Sequence, residues 1–254
     1  MYRFDSSILL DQLTWKEIDA KLKKGWTTVA FGIGSIEQHG PHLPLLTDAY
    51  CGDTITHEVA KKLKKTFQAP TIRVGCSDAH MGFPATLSIS KGTLQSLMRD
   101  YCKSLSAHGF KNIVLIPTHG GNFVPTIQLM PQLSVEFPHV NIIAYTDFDE
   151  IMNGFHQCLE KVGISKEAGG IHAGHIEASI MLYLYPECVR KDKMVKGSSN
   201  KLYTVEQVYS KGTKALSSNG VLGDPARANA KQGKLFFETN VNLAFKYIQK
   251  KLKP

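Results

Sequence analysis

The sequence predicts a single α/β domain, a three-layer α/β/α sandwich around a mainly parallel sheet. Three observations carry this prediction. Short β-branched apolar runs alternate with segments of helical period. The spacing between the runs leaves room for helical crossovers, which parallel strands require. The chain has 254 residues, 43% apolar and 20% charged, a composition of soluble globules large enough to cover a sheet on both faces. Because α/β units often run to ~250 residues as one domain, residues 1–254 read as a single unit.

The elements follow in order. Thr27–Ile33 (TTVAFGI) is the first predicted strand, Thr71–Cys76 the second, Asn112–Pro117 the third and Val140–Thr146 the fourth. Each is bounded by polar, Gly or Pro residues. A helical stretch ends at Lys21–Lys24, and a second runs over about Ala49–Lys65. Gly92–Ala107 is helical because Leu94, Leu97, Met98 and Tyr101 fall on one face. Phe123–Glu136 follows the third strand, and Phe148–Lys161 follows the fourth. Asp147 caps the latter, with Glu150 three residues on, a variant of the capping box. Gly174–Leu184 and a long helix over Ala226–Lys253 complete the set. Lys191–Asp224, rich in Ser, Gly and Lys, is the least regular part and reads as a surface excursion, a lid or an interface arm.

The formal charge of +8 raises nucleic acid as a partner. Its placement argues against one. The Lys clusters close helical stretches, where the helix dipole favours cations, and no Arg-rich run alternates with aromatics. No apolar run reaches the ~20 residues of a membrane span, and the first residues show no secretory signal pattern. Five scattered Cys without a CxxC pair read as reduced thiols of a cytoplasmic protein.

Ligands of open parallel sheets bind outside the carboxyl ends of the strands, and the unusual residues gather there. Gly34–Asp48 (GSIEQHGPHLPLLTD) follows the first strand, Ser77–Pro84 (SDAHMGFP) the second and Thr118–Asn122 (THGGN) the third. Gly169–Glu177 (GGIHAGHIE) precedes a later helix. These segments hold six of the ten His: 39, 42, 80, 119, 172 and 175. A dinucleotide site is excluded, since the GxG at Gly32–Gly34 has Glu37 where the last Gly of the fingerprint belongs. Glu37 and His39 point the same way on an extended segment. Asp48 stands where a helix N-cap belongs, and His119 is followed by Gly120 and Gly121, which permit close backbone approach. Glu177 lies about one turn into a helix. Carboxylates and imidazoles in this mixture suit a pair of zinc, manganese or iron ions, which can activate a bridging water. Taken singly, each has a plainer reading: a surface Glu-x-His pair, a helix cap, a loop histidine. His57 and Glu58 read as exposed helix residues, and His42 and His175 as structural or rim residues.

The GSIEQHGPHLPLLTD string resembles the defining segment of the creatininase family of creatinine amidohydrolase-like enzymes. SDAHMGFPATLSI, THGGN, GGIHAGHIEAS, PECVRKDK and GVLGDPARANAKQG are similar to further segments in the family's order, from about Trp26 to Gly233. The resemblance implies a creatininase-like α/β/α fold, two divalent metal ions per chain and hydrolysis of a non-peptide C–N bond in a cyclic amide, lactam or formamide. It implies Glu37, His39, Asp48 and His119 as metal ligands, with Asp48 bridging. Creatinine-cleaving members carry a ligand Glu where this chain has Gly121, so Glu177 is the implied fifth ligand. Creatinine itself is disfavoured: those members pack the ring with Trp between the third segment and the HAG segment, whereas Trp15 and Trp26 both lie upstream of every motif.

The expected mechanism has a metal-activated hydroxide attack the amide carbonyl, with oxyanion stabilisation by a metal ion and by His172 or the N–H groups of Gly120 and Gly121. His172, then His80, is the expected proton donor to the leaving nitrogen, with a ligand-orienting role as the alternative for His172. Ser77 and Asn122 are expected substrate contacts. A small-molecule amide is the expected partner, and the family suggests a homo-oligomer, a hexamer. Alternatives are a metal-dependent sugar or inosose hydrolase or isomerase, and a non-catalytic member of the same fold.

Overall fold

A computed structural model describes residues 2–252. The predicted ends at Met1 and Lys253 therefore lie outside the described residues. Four parallel strands form one sheet: β1 (Thr28–Ile33), β2 (Thr66–Gln68), β3 (Asn112–Pro117) and β4 (Asn141–Ala144), in the order β2-β1-β3-β4. The register pairs Val29 with Phe67 and Ile113, and Ile113 with Ile142. The helices are α1 (Trp15–Leu22), α2 (Thr47–Leu63), α3 (Lys91–Ala107), α4 (Gly120–Glu136), α5 (Phe148–Lys161), α6 (Lys166–Gly169), α7 (His175–Leu184), α8 (Val205–Lys211), α9 (Thr213–Leu216) and α10 (Ala230–Gln249).

Alternation along the strands divides the core in two, as a doubly covered parallel sheet requires. Val29, Phe31, Ile113 and Leu115 pack against Leu94 and Met98 of α3 and Leu129 and Leu133 of α4. Ala30, Val114, Ile116 and Ile143 pack on the other face against α2, α5, α7 and α10. The three-layer α/β/α architecture is present.

Three elements differ from the sequence expectation. The second strand is not Thr71–Cys76 but Thr66–Gln68. Pro70 has no N–H to give the ladder, so pairing with β1 breaks there and resumes only as an isolated bridge between Ile33 and Ile72. Helix α4 begins at Gly120, three residues before the expected Phe123, which puts His119 at its N-cap. Asp147 caps α5 as expected, accepting from the N–H of Glu150 at 3.0 Å. The long last helix starts at Ala230 and not at the expected Ala226, because Asn229 caps it by accepting from the Gln232 N–H. The irregular stretch 191–224 carries two short helices, α8 and α9, packed beside His80. Among the described residues no helix is long and apolar enough to cross a membrane. All five Cys are unpaired.

The strand order matters for function. β1 connects outward to β2, and the chain then crosses back to β3 on the other side of β1. The crevice at the carboxyl ends of β1 and β3 is the switch point of the sheet, where α/β folds place their ligands.

Candidate metal centre

Five side chains from four segments converge on this crevice. Glu37 and His39 come from the loop after β1, Asp48 from the first turn of α2, His119 from the N-cap of α4 and Glu177 from the first turn of α7. Glu37, His39, Asp48 and His119 are buried, and the side chain of Glu177 keeps 28% of its surface open toward a cavity. Asp48 is a helical residue, since Leu46 occupies the N-cap position.

Asp48 divides its two oxygens between two imidazoles. Its Oδ1 lies 3.4 Å from His39 Nε2, and its Oδ2 lies 3.3 Å from His119 Nδ1. Glu37 Oε2 is 3.3 Å from the same His119 nitrogen, and Glu177 Oε2 is 3.9 Å from His39 Nε2. Two groups of three potential ligands result, Glu37–Asp48–His119 and His39–Asp48–Glu177, with Asp48 common to both. A third group, Glu37–His39–His172, overlaps them. Within each group the candidate ligand atoms lie within 4.8 Å of one another.

The electrostatics call for cations. Burial opposes charge on His39, yet Asp48, Glu177 and Glu37 outweigh it and raise its pKa to about 10. Burial opposes charge on His119 as well, and Glu37 and Asp48 still hold it well above the ordinary histidine value. Despite burial, His39 and His119 keep Asp48 well below the usual carboxylate range. Burial drives the pKa of Glu177 up to about 7. His39 Nε2 and Asp48 Oδ2 have no hydrogen-bond partner among the described residues. Buried imidazole and carboxylate atoms without hydrogen-bond partners, aimed at one point, can hold a divalent metal.

The backbone around the cluster fixes these side chains. His39 Nδ1 donates to the Glu37 carbonyl at 3.1 Å, which leaves Nε2 as the free ring atom. Ser35 Oγ donates to Glu37 Oε2 at 3.2 Å. The N–H of Ala173 donates to Glu177 Oε2 from a left-handed conformation, φ 52°, a strained geometry of the kind held at functional sites.

His80 and His172 face the other oxygen of Glu37, with His80 Nε2 at 3.5 Å and His172 Nδ1 at 3.6 Å from Oε1. Burial and the neighbouring imidazoles keep both neutral: His80 falls to about 3, and His172 lies well below the usual histidine value. His172 Nε2 donates to the Gln38 carbonyl at 2.7 Å. The Gln38 side chain lies 3.1 Å from His80 Nδ1 and donates to the Gly220 carbonyl at 3.2 Å. Gln38 was not singled out in the sequence, although it stands between Glu37 and His39.

A cavity of about 150 Å³ adjoins the cluster. Glu37, Asp48, His80, His119, His172 and Glu177 line its polar end, with Gly120 beside them. Phe123, Phe148, Ile151, Phe155, Ile176 and Ile180 form its apolar wall. Three expected substrate-side residues are set back behind the cavity lining. The Ser77 hydroxyl is turned to Ser35 and its N–H donates to Ser88 Oγ. Asn122 accepts from the Cys76 N–H at 3.0 Å and donates to the carbonyls of Ile33 and Gly34 at 3.1 and 2.9 Å, so it ties three strand-end loops together. Gly121 has no room for a side chain, because a Cβ would lie 1.9 Å from the Tyr209 hydroxyl and 2.1 Å from the Cys76 carbonyl.

The expectation that His57 and Glu58 are exposed is corrected. His57 is not exposed but fully buried, between the Asp5 N–H, which donates to its Nε2 at 2.9 Å, and Gln68 Oε1 at 2.9 Å from its Nδ1. Glu58 is partly buried, accepting from Tyr2 and Lys61. His42 and His175 are fully buried, and His175 Nε2 lies 2.8 Å from Gln232 Oε1.

Comparisons with known proteins identify relatives. The creatininase family profile, described as creatinine amidohydrolase, matches residues 11–248. A mycofactocin precursor peptide peptidase of Mycolicibacterium smegmatis is 33% identical, over 83% of this chain and 79% of that protein. Creatinine amidohydrolase of Pseudomonas putida is 25% identical, over 92% of this chain and 94% of its own length. A solved structure described as creatininase Mn shares the fold with a TM-score of 0.81 at 23% identity, covering 97% of this chain and 99% of that one.

Proposed function

The chain belongs to the creatininase family of hydrolases, and from that premise we propose that it is a metal-dependent amidohydrolase cleaving an amide C–N bond at the carboxyl ends of β1 and β3. The observation that carries this reading is the division of Asp48 between His39 and His119. Glu37, Asp48 and His119 would hold one divalent ion, and His39, Asp48 and Glu177 a second, with zinc, manganese or iron all suited to the donor set. Such ions supply polarisation of the carbonyl and a lowered pKa for water.

The chain's own residues do the rest. With Nε2 donating to the Gln38 carbonyl, His172 Nδ1 carries a lone pair on the cavity side. It is placed to take a proton there and pass it to the leaving nitrogen. His80 Nε2, against the same Glu37 oxygen, is the second candidate. The first N–H of α4, at Gly120 on the cavity lining, belongs to the donors of a helix start and favours a developing oxyanion. Ser77 and Asn122 act behind them, Ser77 through Ser35 on Glu37 and Asn122 on the loops.

Two substrate classes fit. The first is a small cyclic amide, lactam or formamide. The second is the end of a short peptide, favoured by the apolar wall next to the acidic end of the cavity and by 33% identity to a protein named as a precursor peptide peptidase. A screen of metal-reconstituted protein against amides, lactams, formamides and short peptides with apolar ends, read by amine or formate release, tests the proposal. Release that disappears with a chelator and returns with zinc or manganese is expected. Turnover of C–O substrates alone would overturn it in favour of the sugar hydrolase or isomerase alternative. A homo-oligomer, such as the hexamer the resemblance implies, belongs to the same reading and is checked by sedimentation equilibrium.

A further inference from the structure

Helix α8 lies in the irregular stretch after α7, yet Tyr209 reaches from it into the back of the metal cluster. The Tyr209 hydroxyl donates to the Cys76 carbonyl at 2.6 Å and lies 2.9 Å from His119 Nε2. The same ring nitrogen is 2.9 Å from that carbonyl. A carbonyl oxygen can only accept, so His119 Nε2 carries a hydrogen, shared between the carbonyl and the Tyr209 oxygen. Nδ1, 3.3 Å from both Glu37 and Asp48, is then the atom left to bind metal. Space for the hydroxyl exists only because residue 121 is glycine: a Cβ there would collide with the hydroxyl, with the Cys76 carbonyl and with the His119 ring. Val205 and Val208 of the same helix border the cavity.

We propose that Tyr209 is a positioning residue for the metal centre, fixing the ring orientation and tautomer of His119 from the α8 cover through a gap that Gly121 leaves open. The proposal rests on the metal reading above and deepens it. It makes the excursion after α7 part of the site, because removing one hydroxyl there weakens a ligand from a distant segment. Partners of this kind typically contribute ~10–100-fold in metal affinity.

The test is the affinity of purified, metal-stripped protein for zinc alone, measured by competition with a chromophoric chelator, together with the visible spectrum of the cobalt-loaded protein. Tyr209→Phe should weaken zinc binding by about 10–100-fold and shift the cobalt bands, with the thermal transition of the metal-free protein in place. Lys211→Ala, an exposed change on the same helix, should leave both readouts at wild-type values. Unchanged affinity and spectrum in Tyr209→Phe would overturn the proposal, as would an equal loss in Lys211→Ala. Absence of zinc binding in the wild type would instead remove the metal reading on which it stands.

Discussion

Asp48 and His57 stand on the same helix, α2, both buried, and meet opposite surroundings. The hydrogen-bond partners of His57 are neutral groups. It takes a hydrogen bond from the Asp5 N–H, faces the Gln68 amide oxygen and packs edge-on against Tyr2 and Phe4. Both of its nitrogens are occupied, and burial lowers its pKa. Asp48 meets two imidazoles and two further carboxylates, and its Oδ2 has no hydrogen-bond partner among the described residues. A buried polar side chain whose bonding capacity is used up is structural. One held among like and opposite charges with open valences awaits a ligand.

Substitutions can break this contrast, and the largest effects belong on the Asp48 side. Glu37→Gln or His119→Ala removes a direct donor and should lower turnover by more than about 100-fold, since partners one step removed already account for ~10–100-fold. Initial rates on the best substrate from the screen check this, and losses smaller than about tenfold would mean that the cluster is not the reacting centre. Asn122→Ala lies between the two regions in effect. It strips partners from the Cys76 N–H and from two carbonyls, and should cost ~1–3 kcal/mol in a denaturant titration while the metal content stays at the wild-type value. The smallest effect belongs to His57. Its folded-state pKa is depressed, so its contribution to stability is present above the unfolded value of ~6.5 and is lost as pH falls below it. Unfolding free energies at about pH 7.5 and about pH 5.5 should therefore differ less in His57→Gln than in the wild type. An unchanged difference would place the acid sensitivity elsewhere.

The same contrast explains what could be read from the sequence. The layered fold and the site's location were legible because apolar runs mark the strands, and Glu37, His39, Asp48 and His119 stand in the loops where a parallel sheet ends. Glu177 was legible as a helix-start acid but needed the fold to bring it 3.9 Å from His39. His57 was misread because its partners, the Asp5 backbone N–H and the Gln68 amide, come from separate segments, and no local pattern announces a satisfied imidazole. Pro70 split the second strand, so the β-branched run after it outscored the three residues that pair with β1. Tyr209 lay in the stretch with the weakest periodicity. Its role depends on an absent side chain at Gly121, a steric condition visible only once α8 has docked against Cys76 and His119.

The central claim is that Asp48 bridges two metal ions, and metal stoichiometry tests it most directly. Wild-type protein and Asp48→Ala, loaded with zinc or manganese in parallel and freed of excess metal, are compared by elemental analysis. The account predicts about two ions per wild-type chain, the count of two-metal hydrolases, and loss of both in the variant. Full retention of metal by Asp48→Ala would contradict the bridge.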